Sequence, residues 1–197
     1  MGTRGFVGFV ADEKDTITYN HFDSYPSAVG VHTLKFVRRL AEDGETLEKY
    51  RVLARDIQHV DDDVPPTRED VVRLAQFANL GVSQRNLYTE WYGLLRETQG
   101  SAQATLECGV AENAAEFPKD SLFCEWGYLI DFDNQKFEVY RGFQTDPVTE
   151  GRWAGLVAAP RYEGDTNAYK AVKLVASYDF YDLPSNTEFM ELDKEED

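Results

Sequence analysis

Apolar and polar residues alternate with a period of two near both ends of the chain, and between these regions apolar residues recur at helical spacing. Near the start, residues 4–11 and 16–20 lie on either side of a polar turn at 12–15. Strand-like runs separated by a short polar turn are typical of a β-hairpin. The pattern therefore predicts an N-terminal hairpin that begins almost at the first residue.

The second alternating region lies in the last third of the chain. Residues 124–133 and 136–142 flank a turn at 133–135 and predict a second hairpin. Two further strands are predicted at 152–159 and 171–180. The region thus predicts four strands in sequence.

Between the hairpins the spacing of three and four residues predicts helices at about 31–42, 45–56, 68–78 and 83–98. A run of three aspartates followed by two prolines interrupts them at 61–66, since proline cannot continue a helix. Thr67 follows as the predicted N-cap of the third helix. The alanine-rich stretch after residue 100 has no clear period.

Together these elements predict one α+β domain over residues 1–197, with a mostly antiparallel sheet made from the N- and C-terminal hairpins and a central helical block at about 31–98. We expect the helices to cover one face of the sheet. From about 185 to 197 we expect an acidic tail or a short helix. The aromatic residues expected in the core are Trp126, Tyr128, Phe132, Phe137, Tyr140, Tyr178 and Phe180.

The charge narrows the possible partners. The formal net charge is −16, from 36 acidic residues against 20 Lys and Arg. Such a surface repels phosphate backbones, so direct binding of nucleic acid is not expected. Three interpretations remain open: solubility or host composition, docking on a basic partner, and mimicry of a nucleic acid. No run reaches the roughly 20 apolar residues of a membrane span, and no leader pattern is present, so we expect a soluble cytoplasmic protein.

Metal and cofactor chemistry are not expected. Cys108 and Cys124 have neither paired spacing nor a neighbouring histidine, and a structural zinc site normally needs four ligands. Cys124 begins an apolar run, where a small buried thiol is the usual role. The sequence has no P-loop, no strand-linked G-x-G-x-x-G, no G-x-S-x-G and no H-E-x-x-H motif.

The densest group of polar and titratable side chains lies at the start of the first N-terminal strand and just past the end of the second. Its members are Thr3, Arg4, Asn20, His21, Asp23 and Tyr25. A purely structural interpretation stays open, since Asn and Asp are frequent loop formers whose side chains bond nearby amides. Arg141 at the end of the second hairpin is a further candidate. If the hairpins are neighbours, its guanidinium approaches Asp23 or His21 and binds a carboxylate or phosphate.

The pattern GTRG at 2–5, with matching residues at 19–20, 23–26 and 139–142, resembles a family of uncharacterised microbial and phage-type proteins. That resemblance implies no activity. The architecture also resembles the start of N-terminal-nucleophile hydrolases, which expose a nucleophile at the tip of the first strand. This second resemblance implies Thr3 as nucleophile and its free α-amine as base.

In that hydrolase, Asp23 or Asn20 orients the amine or the intermediate, and Arg4 or His21 stabilises charge. The chain departs from the family pattern because Met1 and Gly2 must both be removed to free the amine of Thr3. If they stay, His21 is the remaining candidate for the base.

The leading hypothesis is a soluble acidic interaction or regulatory protein, of the kind that phages and mobile elements encode. It binds a protein with a basic surface, or a small ligand held at the N-terminal residues. The alternative is an amide hydrolase that acts through Thr3.

Intact mass and N-terminal sequencing of the natural protein separate these two hypotheses. A binding module keeps Gly2 and tolerates Thr3→Val. A hydrolase begins at Thr3 and loses its activity with that substitution, because the hydroxyl is the nucleophile.

Overall fold

The computed structural model of the chain describes residues 2–79, 90–159 and 169–194. Its strands are β1 (Gly5–Ala11), β2 (Lys14–Asn20), β3 (Gln58–Val60), β4 (Val110–Glu112), β5 (Trp126–Asp131), β6 (Lys136–Arg141) and β7 (Lys173–Asp179). Its helices are α1 (Val31–Glu42), α2 (Gly44–Arg55), α3 (Arg68–Leu74), α4 (Trp91–Leu94), α5 (Ala102–Cys108) and α6 (Asn186–Met190). A π-helical turn, Pro26–Gly30, leads into α1.

Five strands form the main sheet in the order β2-β1-β5-β6-β7. Both predicted hairpins are present, and the α+β class with a mostly antiparallel sheet is confirmed. The two hairpins join through a parallel pair, β1 with β5. The sheet is therefore mixed, and the first residues of β1 and β5 lie at the same end of it.

One face of the sheet packs under α1 and α2 and is called the helix face. Alternate residues of the strands point to it, among them Val7, Phe9, Tyr128 and Phe137, and they share a core with the apolar side of α1. Phe189 of α6 is fully buried against the same core and lies 5.8 Å from the Phe137 ring, centroid to centroid. The predicted helical cover of one face is thus present, and part of the expected acidic tail is a docked helix.

The opposite face, called the loop face, is covered by irregular chain. Phe6, Leu129 and Tyr140 point to it, and Trp153 packs on them with ring centroids 5.2 Å from Phe6 and 4.6 Å from Tyr140. Tyr140 therefore belongs to a different core from the other aromatic residues of the second hairpin. Each face of the sheet has its own aromatic core.

The strand predicted at 152–159 is wrong. Gly151 and Gly155 have φ of 87° and 73°, outside the range of a strand, and Trp153 turns inward between them. Arg152 fixes this turn because its guanidinium contacts the buried carboxylate of Asp131 and lies 3.0 Å from Glu138 Oε2. An ion pair and an inserted indole hold the segment as a turn against the sheet.

The middle of the chain differs from the prediction in three places. The alanine-rich stretch contains α5 and β4, and β4 pairs in parallel with β3, which lies inside the expected helical block. Of the helix predicted at 83–98, residues 83–89 lie outside the described residues, and the described part contains one α-helical turn, α4, followed by a 3₁₀ turn at Arg96–Thr98. The prediction for Thr67 is confirmed: it is the N-cap of α3, and its side-chain oxygen accepts a hydrogen bond from the Asp70 N–H.

The helices of the described segments include none with the length and apolar character that crossing a membrane requires.

Candidate functional site

The parallel pairing of β1 with β5 gathers the predicted site residues at one end of the sheet. A single cross-strand row runs from Asn20 through Gly5, Trp126 and Arg141 to Lys173. Residues in such a row point to the same face, whereas their chain neighbours point to the other. The predicted site is therefore divided between the helix face and the loop face.

The half on the helix face is buried and hydrogen-bonded. Thr3, Asn20 and Ser24 are each at most 3% exposed. The Ser24 N–H donates to the Thr3 carbonyl (3.1 Å), and Asn20 Nδ2 donates to Ser24 Oγ (2.7 Å) and to the Phe22 carbonyl. The Tyr128 hydroxyl donates to the Ser24 carbonyl at 2.8 Å. These contacts fix the loop between β2 and the π-helical turn.

Asp23 and Tyr25 lie on the outside of that loop. Asp23 has φ of 52°, a left-handed conformation that Asp tolerates better than most residues, and its carbonyl accepts from the Val29 N–H at 3.2 Å. Tyr25 is 40% exposed, and its carbonyl accepts from the N–H groups of Ala28 and Gly30. The backbone of these residues shapes the turn, and their side chains face solvent.

The half on the loop face carries positive charge and aromatic rings. We call it the arginine patch, and it consists of Arg4, Tyr19, His21, Phe22 and Arg96. The guanidinium of Arg96 lies 5.0 Å from the Phe22 ring centroid, and that of Arg4 lies 5.3 Å from the ring of Phe123. The rings of His21 and Phe22 meet edge to face at 4.4 Å, and Phe22 is 42% exposed. The patch therefore presents cations on an aromatic support.

Both arginines of the patch influence the charge state of His21. Its pKa is lowered from the ordinary value, first by burial and then by the positive charges of Arg4 and Arg96. The Tyr19 hydroxyl lies 2.6 Å from His21 Nδ1 and donates to it when that nitrogen carries no proton. Burial is also the main reason that the pKa of Tyr19 is raised, so the phenol keeps its proton. Burial and the charges of two arginines thus favour the neutral form of the imidazole.

Neither guanidinium forms an ion pair with a carboxylate in the described part of the chain. Arg96 Nη1 donates to Gln99 Oε1 at 2.6 Å, and the Arg4 side chain stacks on Phe123. Glu125 accepts from the backbone N–H of Arg4 (3.2 Å) rather than from its guanidinium. Both cations keep donor groups for another partner.

Arg141 does not join this patch. It lies on the helix face with its guanidinium 5.5 Å from the ring of Trp126, and the cations that act on His21 are Arg4 and Arg96. Sequence reasoning missed Arg96, because it lies far along the chain in a 3₁₀ turn with no local motif. Only the packing of that turn against Phe22 brings it to the site.

The described residues offer few side chains suited to metal binding or to thiol chemistry. No group of three or more His, Cys, Asp or Glu side chains in 2–79, 90–159 and 169–194 has an arrangement suited to a metal ion. Cys108 and Cys124 are buried and unbridged, and burial raises the pKa of both thiols, which opposes nucleophilic use. The predicted burial of Cys124 is confirmed.

No family model matches the chain, and comparisons with curated proteins and with solved structures found no match. The resemblances drawn from sequence patterns therefore stay predictions.

The native pKa of His21 is expected below its unfolded value of about 6.5. The unfolded chain then binds the proton more tightly, so the stability that neutral His21 contributes is complete above that value and is lost as pH falls through the native pKa. Arg96→Gln should raise the native pKa because one repelling charge is removed. A pH titration of the ring resonances by NMR measures it.

Arg39→Gln is the matched control. Its guanidinium also stacks on a ring, that of Phe36 at 5.5 Å, and donates to a glutamine, Gln103, at 2.6 Å, but it does not act on His21. A native His21 pKa above the unfolded value, or one that both substitutions move equally, contradicts the electrostatic description of the patch.

Proposed function

We propose that this protein is a binding module that recognises a carboxylate or phosphate group at the arginine patch. The group belongs to a small ligand or to a side chain of a protein partner. In the hypothesis of an acidic interaction protein, the arginine patch is the surface that contacts the ligand or partner.

The observation that carries the proposal is a pair of guanidinium groups without an ion-pair partner in the described chain. The sequence has 36 acidic residues against 20 Lys and Arg, so carboxylates are abundant. The charges of Arg4 and Arg96 nevertheless both lower the pKa of His21, and neither guanidinium forms an ion pair with a described carboxylate. A guanidinium group donates two parallel hydrogen bonds to a carboxylate or to two oxygens of a phosphate, so an anion bound at the patch supplies the counter-charge that these arginines lack.

The aromatic part of the patch favours an organic anion over a bare ion. Phe22 is exposed beside Arg96, and the guanidinium on its ring leaves an apolar edge next to the charged site. Such a combination of apolar surface and few polar groups is typical of sites for small organic molecules. Neutral His21 adds a ring N–H that donates to the anion at neutral pH.

The acidic surroundings limit which anions reach the patch. Tyr19 also lines a cleft of about 340 Å³ whose other walls include Asp62, Glu112 and Trp91. These carboxylates repel long polyanions. A molecule that is mostly cationic but carries one anionic group is attracted both by the carboxylates and by the arginines of the patch. The prediction of a partner with a basic surface is compatible with this arrangement and stays a prediction.

The hydrolase alternative also stays a prediction. With Gly2 in place, Thr3 is only 2% exposed and its carbonyl is used by the Ser24 N–H. Removal of Gly2 would uncover the start of β1 near His21 and Phe22, because the backbone of Gly2 lies against these two residues. The buried hydroxyl favours the structural role of Thr3 in the chain as it stands.

Titration with inorganic phosphate and with acetate, followed by NMR at His21 and Arg96, tests the proposal. Arg4→Gln and Arg96→Gln should each weaken binding about tenfold, since a hydrogen bond to a charged group contributes about 1.5–3 kcal/mol. Added sodium chloride should weaken binding further. Comparison of the two anions shows which group the patch prefers.

Arg39→Gln again serves as the control and should leave the affinity unchanged. Absence of shifts at His21 with either anion contradicts the proposal. So does equal weakening by all three substitutions, because that result reports only the overall charge of the protein.

A further inference from the structure

A second cationic site lies at the same end of the sheet. It is formed by the last residues of β6, the first residues of β7 and the C-terminal 3₁₀ turn Glu191–Asp193. It is a groove of about 720 Å³, which we call the β6–β7 groove. Arg141, Lys173 and Lys194 line it together with the apolar side chains of Phe143, Val175 and Leu192. The arginine patch contributes no residue to this lining.

The charges in the groove are not balanced within the described chain. Arg141 and Lys173 are direct cross-strand partners, an arrangement in which like charges repel. Neither forms an ion pair with a described carboxylate: Arg141 lies over Trp126, and Lys173 is exposed. The lining carboxylate Glu191 pairs with Lys194, and the groove keeps two cations side by side that lack an ion-pair partner among the described residues, on a protein of net charge −16.

The rim beside Arg141 is held by close packing and hydrogen bonds. Gly142 has no room for a side chain, because a Cβ there would lie 2.1 Å from the Cys124 carbonyl oxygen. The Phe143 N–H donates to the Ser121 carbonyl (2.7 Å), and the Gln144 side-chain amide donates to the Gly142 carbonyl (2.7 Å). These bonds hold Phe143 at φ 57° with 53% of its surface exposed. A bulky residue in this conformation is strained, so the fold holds an apolar ring at the mouth of a cationic groove.

We propose that the β6–β7 groove binds a small organic anion, with a carboxylate or phosphate between Arg141 and Lys173 and an apolar body against Phe143 and Val175. The guanidinium and the ammonium supply donors from two adjacent strands, and the anion cancels their repulsion. The volume suits a small molecule, since ligand sites span about 300–1,000 Å³. This site is separate from the proposed function and does not depend on it.

Titration with phenyl phosphate and with benzoate, read at the indole N–H of Trp126 by NMR, tests the proposal. At least one probe should shift that resonance, because Arg141 lies over the Trp126 ring. The stronger of the two identifies the preferred anionic group. Inorganic phosphate, which lacks the ring, should bind more weakly than phenyl phosphate.

Arg141→Gln and Lys173→Gln should each weaken binding about tenfold. Lys173→Gln should not lower the midpoint of thermal unfolding in the absence of the probe, because it removes a repulsion; a merely structural lysine would lower it. Lys35→Gln, at an exposed lysine of α1, and Arg96→Gln should leave binding in the groove unchanged. These controls separate the groove from overall charge and from the arginine patch.

Three results would overturn the proposal. The first is the absence of a Trp126 shift with both probes. The second is unchanged affinity when Arg141 and Lys173 are both replaced by Gln, with the fold verified by its NMR spectrum. The third is an equal loss of affinity in Lys35→Gln, which would show that the probes respond only to net charge.

Discussion

The parallel contact between β1 and β5 is the interaction on which the arrangement of this protein depends. It joins two hairpins that are separated by more than a hundred residues, and a glycine on each strand leaves room for the other strand: Gly5 for the β5 backbone and Gly127 for the Phe6 ring. A Cβ on Gly5 would lie 2.2 Å from the Trp126 carbonyl oxygen, and one on Gly127 would lie 1.9 Å from the Phe6 ring. Van der Waals repulsion therefore excludes a side chain at Gly5 in this packing, and at Gly127 a side chain would displace the buried Phe6 ring.

The parallel contact also determines which residues lie together at the surface of the molecule. Because β1 and β5 run in the same direction, the residues before both strands meet at one end of the sheet. Alternation along the strands then sends Arg4 and His21 to the loop face, and Asn20 and Arg141 to the helix face. Two cationic sites arise at one end of an acidic protein. At the opposite end, the Asp12 and Glu13 N–H groups both donate to Asp133, so the two hairpin turns are also tied together.

The sequence was sufficient for elements whose signals are local. Both hairpins follow from alternation and polar turns, and α1 and α2 follow from helical spacing; the Asp43 cap of the second helix is seen only in the structure. The parallel junction was not predictable, since no local pattern encodes the direction in which distant hairpins pair. The segment around Trp153 was predicted as a strand but is a turn, because Arg152 is held by Asp131, which is distant in sequence. The same limit applies to the site: Arg4 and His21 lie near the strand ends that were singled out, whereas Arg96 reaches them only through packing.

The free energy of unfolding of Gly5→Ala, compared with that of Gly44→Ala, tests the central constraint most directly. Gly44 lies at the start of α2, and a Cβ added there would meet open space within 4 Å. Because alanine normally favours regular structure over glycine, Gly44→Ala should be neutral or stabilising by about 0.5 kcal/mol. Gly5→Ala should instead lose about 1–3 kcal/mol, because the methyl group forces β1 away from Trp126 and Ser24. Equal effects of the two substitutions would contradict the close parallel junction and the site geometry that follows from it.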